Sequence, residues 1–399
     1  MKLSQPIGPD LGLNLLIADG YKVVLEQDHI KILNVPFVTS ARTVSRGTLI
    51  CPYISSAGNI QPPENHQVWW TEEYPCLSNG NPIEAFRNED GVREIYPGCT
   101  IKHRFSNKPL GVDSYPNYYC KLTHYLNLIQ AQAKAIDSTV DAKDMGNEAE
   151  LITDSSGPFA YSDTASVRAE IKAITARLEH QRIAIVGVGG TGSYILDQLA
   201  KTPVKEIHLF DGDVFEQHNA FRAPGAATFE EISVRQIKTQ YFKTKYQAMH
   251  TGIFEHPYFL DASNLQELTN FSFVFLSVDN GTTRKLIYEH LKAQGIPFID
   301  VGMNLYIDKR VEQLAGVCRV TLYEPGAEDF FEQNAPLNEV VAEDEVYKLN
   351  IQIADMNALN AQLAVMKWKQ FSNFYRDDFN FSNALFTVNF MSLARTKKG

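Results

Sequence analysis

The chain has 399 residues, 44% hydrophobic and 21% charged, the make-up of a globular protein with room for two domains. Its formal net charge of −10 disfavours nucleic acid as a partner, because phosphate contacts need clustered positive charge. No apolar run approaches the roughly 18–20 residues of a membrane span, and no apolar signal core follows Met1-Lys2-Leu3-Ser4-Gln5-Pro6, so no membrane partner and a cytoplasmic location are expected.

Residues 1–125 predict a smaller α+β N-terminal module. Strand-like runs recur at 21–25, 29–33, 47–50 and 67–70. Turn signals stand at Asn79-Gly80-Asn81-Pro82, Glu89-Asp90-Gly91 and Tyr96-Pro97-Gly98. The lone histidines His66 and His103 are read as structural or surface residues. Residues 126–163 are read as a connecting helix and linker. A helical stretch over 119–136 is expected to bridge the modules, and 137–160 to form the main linker. A helix over 164–179 then opens the last module, residues 164–399.

The apolar run Ile183-Ala184-Ile185-Val186 feeds directly into Gly187, Gly189, Gly190 and Gly192, and an amphipathic segment over 194–200 follows. That pattern predicts a buried strand, a glycine turn and a helix start. Such a turn aims free N–H groups and the positive end of a helix dipole at one spot, which suits phosphate. A second apolar run, Ile207-His208-Leu209-Phe210, ends in Asp211-Gly212-Asp213. An acid at the tip of the second strand of such a unit commonly binds ribose hydroxyls. Asn219 and Arg222 come next, and Lys238 opens a helix-like segment. A further run, 273–278, ends in Asp279-Asn280, with Arg284 nearby.

The expected fold is therefore α/β, a Rossmann-like mostly parallel sheet. In such a sheet the strand ends share one edge, where ligands bind. Cations, an amide and a carboxylate gathered there match a triphosphate carrying magnesium. After a strand at 298–302, antiparallel strands are expected between 305 and 323. An acidic crossing loop (324–346) follows, then a helix over 349–371 for core or dimer packing. That helix carries Ile351, Ile353, Met356, Leu359, Leu363 and Met366 at helical spacing. A last strand is read over 386–390.

Five cysteines, Cys51, Cys76, Cys99, Cys120 and Cys318, include no C-x-x-C pair, so neither structural zinc nor a disulfide frame is expected. Cys318 and Cys76 are read as structural thiols.

The series Gly187-Val188-Gly189-Gly190-Thr191-Gly192, Asp211-Gly212-Asp213, Asn219-Ala220-Phe221-Arg222, Lys238 and Asp279-Asn280 with Arg284 resembles the ubiquitin-activating-enzyme superfamily of the ThiF and MoeB type, across residues 165–325. The resemblance implies an adenylyltransferase that uses ATP and Mg2+. Gly187, Gly189, Gly190, Gly192, Asp211, Asp213, Asn219 and Asn280 would bind the nucleotide, with Asp211 on the ribose. Asn219, Arg222 and Lys238 would contact its phosphates, and Asp279 would organise the metal. Arg222, Lys238, Asp279 and Arg168 are the catalytic candidates. Arg168 resembles, by position, an arginine supplied across a dimer; a solvated helix arginine is the alternative. Ala223 replaces the family's usual Gln, and the spacing from Arg222 to Lys238 is longer, which leaves Lys243 as a fallback.

The resemblance further implies adenylation of the C-terminal glycine of a small ubiquitin-like protein, a conjugating-enzyme-like partner and a homodimer. Val35-Pro36-Phe37-Val38 and the segment 103–109 resemble an N-terminal domain found ahead of ThiF-type cores in bacterial ubiquitination-like operons. That context implies a tagging pathway, for instance in antiphage defence, with the N-terminal module recruiting the modifier or the conjugating enzyme. The adenylate is read as handed on without a dedicated cysteine. Alternatives are a sulfur-carrier adenylyltransferase, a dinucleotide-binding Rossmann oxidoreductase and a non-catalytic scaffold. The oxidoreductase gives Arg222, Lys238 and Asp279 no role.

Overall fold

A computed structural model describes residues 11–143, 150–151, 157–337 and 351–398. The chain divides into two compact units, one built from Met1–Ser156 with Ser162–Ala176, the other from Gly157–Tyr161 with Arg177–Gly399.

The first unit holds a seven-stranded sheet, in the order Arg87–Tyr96, Cys99–Ser106, Gln67–Trp70, Val44–Pro52, His29–Val38, Val23–Glu26, Glu150–Leu151. Neighbours are antiparallel apart from the final pair, which is parallel. Glu89-Asp90-Gly91 does not turn the chain. It lies inside the strand Arg87–Tyr96, where the register slips between Arg87 and Glu89 and again between Asp90 and Arg93. Turn-type residues here make bulges in an exposed edge strand. Pro97 and Gly98 do turn it, Gly98 at a φ of +81°.

The helix Tyr118–Ile136 is capped by Asn117, whose side chain accepts from the Cys120 N–H. Its Leu122, Tyr125, Leu126 and Ile129 recur at helical spacing and join the core of the sheet beside Phe37, Leu49 and Trp70. This helix is therefore an integral layer of the first unit, not the expected bridge. Of the predicted linker, residues 144–149 and 152–156 lie outside the described residues.

The single helix expected over 164–179 is broken into Thr164–Arg168, Lys172–Thr175 and a 3-10 turn, Ala176–Leu178. The break falls at Glu170, which takes a left-handed φ of +56°. Its carboxylate is held by Arg93 at 2.5 Å and by Arg104, so tertiary ion pairs override helical propensity.

The second unit holds an eight-stranded sheet. Ile253–His256, Glu206–Phe210, Arg182–Val186, Phe273–Leu276 and Phe298–Asp308 run parallel. Gln313–Tyr323, Asn383–Thr387 and Ser392–Thr396 extend the sheet antiparallel. The last strand was not expected. Met391, at a φ of +48°, reverses the chain after Val388–Phe390 and pairs it back. Part of the expected crossing loop is the helix Glu328–Asn334, seated by fully buried Phe331 against Tyr288, Phe298 and Tyr323; residues 338–346 lie outside the described residues.

The helix Ala354–Phe371 buries part of the face its large apolar residues mark, with Met356 enclosed and Leu359 and Leu363 half-buried; residues 349–350 of the expected helix lie outside the described residues. Asn357, Asn360, Ala361, Ala364 and Trp368 face inward, and Met366 is exposed. Small side chains let this helix approach Gly190–Leu199 closely, with Ala361 and Ala364 in one core with Ile195 and Leu199. No helix among the described residues is long and apolar enough to cross a membrane.

His29, 2% exposed, donates from Nδ1 to the Gln27 carbonyl at 2.6 Å. Burial, helped by the nearby Lys172 charge, depresses its pKa to about 4. The unfolded chain then binds this proton more readily than the folded one, so the contribution is present above pH 6.5 and lost as pH falls towards 4. The expected loss is about 3 kcal/mol over that window. Urea unfolding between pH 7 and pH 4 should show it, and His29→Gln should flatten the profile by that amount.

Candidate active site

The strand register fixes the site. Val186 lies opposite Phe210 and Leu276, so Gly187, Asp211 and Ser277 leave the sheet at one level on one edge. Gly187 has a φ of +86°, and a Cβ there would sit 2.6 Å from the Ser277 carbonyl oxygen. Side chains at Gly192 and Gly190 would overlap the Gly187 carbonyl and the Asn357 amide. Gly189 differs, since a Cβ there meets nothing within 4 Å. It is the N-cap of Gly190–Leu199 and supplies no side-chain cap. The first N–H groups of a helix have no acceptor within it, and here no N-cap side chain takes one up.

Asp211 is 5% exposed and closes the turn. Its Oδ2 accepts the Val188 N–H at 2.7 Å and its Oδ1 the Asp213 N–H at 2.9 Å. Burial raises its carboxyl, against the pull of Lys238 and the two N–H groups. Lys238 Nζ lies 2.6 Å from Asp213 Oδ2 and 3.9 Å from Asp211 Oδ2. The fallback, Lys243, is paired with Glu255 instead.

Asn219, 4% exposed, completes a capping box, with Oδ1 accepting the Glu216 N–H at 2.8 Å. It thereby shapes the short helix that delivers Arg222. Arg222 is half-buried, and its Nε is buried with no hydrogen-bond partner among the described residues. Burial lowers its pKa, while Asp279 and Asp213 act the other way, which sets all three charges within electrostatic reach. Asp279 is exposed and makes no hydrogen bond among the described residues. Asn280 caps Gly281–Gln294 through the Thr283 N–H at 3.0 Å.

Arg284 stands in the sequence motif without a role, and the residues that support the site with it escaped the sequence reading. Arg284, 4% exposed, donates to the Val278 carbonyl at 2.5 Å and to Asp300 Oδ1 at 3.0 Å. Asp300 is fully buried and also pairs with Arg319. This network holds the strand tip from which Asp279 projects. An acid inside the apolar run Phe298-Ile299-Asp300-Val301 was the available signal, because a charge buried in a strand needs a partner. Thr191 Oγ1 donates to Asn357 Oδ1 at 2.9 Å, and Ser277 Oγ donates to the Gly187 carbonyl at 2.6 Å. Neither shows a local pattern.

Arg168 lies in the first unit, paired with Glu64. Cys51, Cys76, Cys99 and Cys318 are buried, and burial pushes their thiols up, that of Cys318 to about 12. Among the described residues no group of three or more His, Cys, Asp or Glu is placed to hold a metal ion.

Residues 161–397 match the ThiF family. The chain belongs to the ThiF family. Residues 11–164 match a domain of unknown function, DUF6791. A SUMO-activating enzyme subunit, uba-2 of Caenorhabditis elegans, is 24% identical over 136 residues, which are 33% of this chain and 22% of that protein. Among solved structures, Escherichia coli MccB with ATP is 17% identical, covers 57% of this chain and 66% of its own, and has a TM-score of 0.44. PaaA is 17% identical, covers 60% and 85%, and has a TM-score of 0.46.

In this ThiF-family chain the Arg284–Asp300–Arg319 network should carry measurable stability. Asp300→Ala leaves two buried guanidinium groups without their shared carboxylate. The expected cost is about 3–5 kcal/mol, read as a lower urea midpoint; a cost under about 1 kcal/mol, the size of a surface pair, would show that the network is not needed.

Proposed function

We propose that this chain is an ATP-dependent adenylyltransferase that activates the C-terminal carboxylate of a small ubiquitin-like protein. The observation that carries the reading is a group of cations and carboxylates beside an uncapped glycine turn. Among the described residues Arg222 keeps a buried Nε without a partner, Lys238 is held by the carboxylates of the Asp211-Gly212-Asp213 tip, and Asp279 stands exposed. Cations so placed suit a polyphosphate, and the open volume over Gly189 suits close approach of its oxygens. A dinucleotide oxidoreductase gives the same cations nothing to do.

Asp279 offers hard oxygen ligands at the strand tip and fits Mg2+. The ion would supply neutralisation of phosphate charge. In the reaction a carboxylate oxygen of the protein tail attacks the α-phosphorus of ATP. The bond to the bridging oxygen breaks and pyrophosphate leaves, giving an acyl-adenylate. The chain's own residues align and neutralise, and no side chain need bond to substrate. Arg222 and Lys238 would take the phosphate oxygens, with Lys238 exchanging Asp213 for the ligand.

The buried, raised thiols favour direct release of the adenylate to a conjugating partner. Likeness to a SUMO-activating enzyme subunit supports a ubiquitin-like substrate. We assign the DUF6791 unit to recruitment of the modifier or conjugating enzyme, in a homodimer serving a cytoplasmic tagging or defence pathway.

Exchange of labelled pyrophosphate into ATP, with Mg2+ and a glycine-ended β-grasp protein, tests this. The native chain should exchange. Asp279→Ala and Arg222→Gln should each lose about 100-fold or more with unchanged circular dichroism, while Lys243→Ala should match wild type. Normal exchange by Asp279→Ala would remove the magnesium assignment, and absence of exchange alongside nicotinamide binding would overturn the whole reading.

A further inference from the structure

The first unit buries a lysine that nothing described so far employs. Lys121 is 1% exposed, and its ammonium donates to Asn65 Oδ1 at 3.3 Å without forming an ion pair among the described residues. The Cys51 thiol lies beside it, and burial keeps that thiol up and neutral. Lys121 also sits in the first turns of the 19-residue helix Tyr118–Ile136, whose positive end repels an ammonium. Burial and dipole thus both disfavour this charge, and among the described residues the ammonium is met by the Asn65 amide oxygen and the Cys51 thiol but by no carboxylate in an ion pair.

The same side chain lines a cavity of about 40 Å3. A water needs roughly 10–15 Å3 of such cavity volume, so there is room for a carboxylate-sized group. The other charges at the wall are already matched. Glu64 pairs with Arg168, and Glu170 with Arg93 and Arg104. Lys121 is the charge at this wall with no ion pair among the described residues, which suits a single negative charge. Pro52, Ile54, Pro63 and Val167 supply an apolar wall for the carbon next to such a group. Glu64 and Glu170, also at the wall, disfavour a dianion.

The geometry points to a carboxylate-binding site in the first unit, in which the ammonium of Lys121 and the amide of Asn65 receive a monoanionic carboxylate of a peptide C-terminus or a small organic acid. The site is separate from the adenylation chemistry and needs no ATP, so failure of either reading leaves the other standing.

Calorimetric titration of the full chain, without nucleotide, tests it. The probes are acetate, N-acetylglycylglycine, the C-terminal amide of that peptide and inorganic phosphate, each against chloride of equal ionic strength. One site per chain is expected for a carboxylate probe, with at least tenfold weaker binding of the amide. Tighter binding of the peptide acid than of acetate identifies a peptide tail as the ligand; equal binding identifies a small acid. Lys121→Met should lose binding at least tenfold and, in ligand-free buffer, keep a urea midpoint at or above that of wild type, because it removes an unbalanced charge. Equal binding of acid and amide, preference for phosphate, no carboxylate binding, or retained binding by Lys121→Met would each overturn the site. A lower midpoint or failure of Lys121→Met to fold would overturn the unbalanced charge on which it rests.

Discussion

Asp211 is the constraint on which the site depends. Its buried carboxylate ties the N–H of Val188 in the glycine turn to the N–H of Asp213 in the next strand tip, with Lys238 close by. Charge-assisted bonds of this kind are stronger than neutral ones and fix direction as well as distance. Gly187, Gly190 and Gly192 make the closure possible, because their missing side chains let backbone and the Asn357 amide come within contact. Gly189 alone faces open volume. One turn therefore does two jobs with the same residue type, packing inward at three positions and leaving room outward at one.

A second buried carboxylate does for the Asp279 tip what Asp211 does for the glycine turn. Asp300 anchors Arg284 and Arg319, and Arg284 in turn holds the Val278 carbonyl. The reactive edge is thus presented by side chains that never reach it. That division leaves Arg222 and Asp279 uncommitted and available, while the groups that set their positions are fully engaged. Lys238 is intermediate, because its ammonium is paired with Asp213.

The first unit shows the same economy turned to a different end. Glu170 is spent on Arg93 and Arg104 and bends the chain out of a helix. Arg168, placed by resemblance among the catalytic residues, is spent on Glu64. Lys121 is buried and forms no ion pair among the described residues. Leftover charge in a buried wall is informative because its cost is met only by a partner.

Local order in the sequence determined the strand, glycine turn and helix start at 182–199, the acid at each strand tip, and the helix opening at Lys238. Each of these depends on neighbours within a few residues, through backbone sterics, dipoles and apolar periodicity. Tertiary structure alone decided that Glu89-Asp90-Gly91 bulges rather than turns, and that Glu170 breaks a helix. It also decided that the helix Ala354–Phe371 buries alanines and asparagines alongside Met356, Val365 and Trp368 while Met366 stays exposed, and that Asp300 and Lys121 end up enclosed. Those outcomes depend on residues tens to hundreds of positions apart meeting in space, and no periodicity in the chain records such meetings.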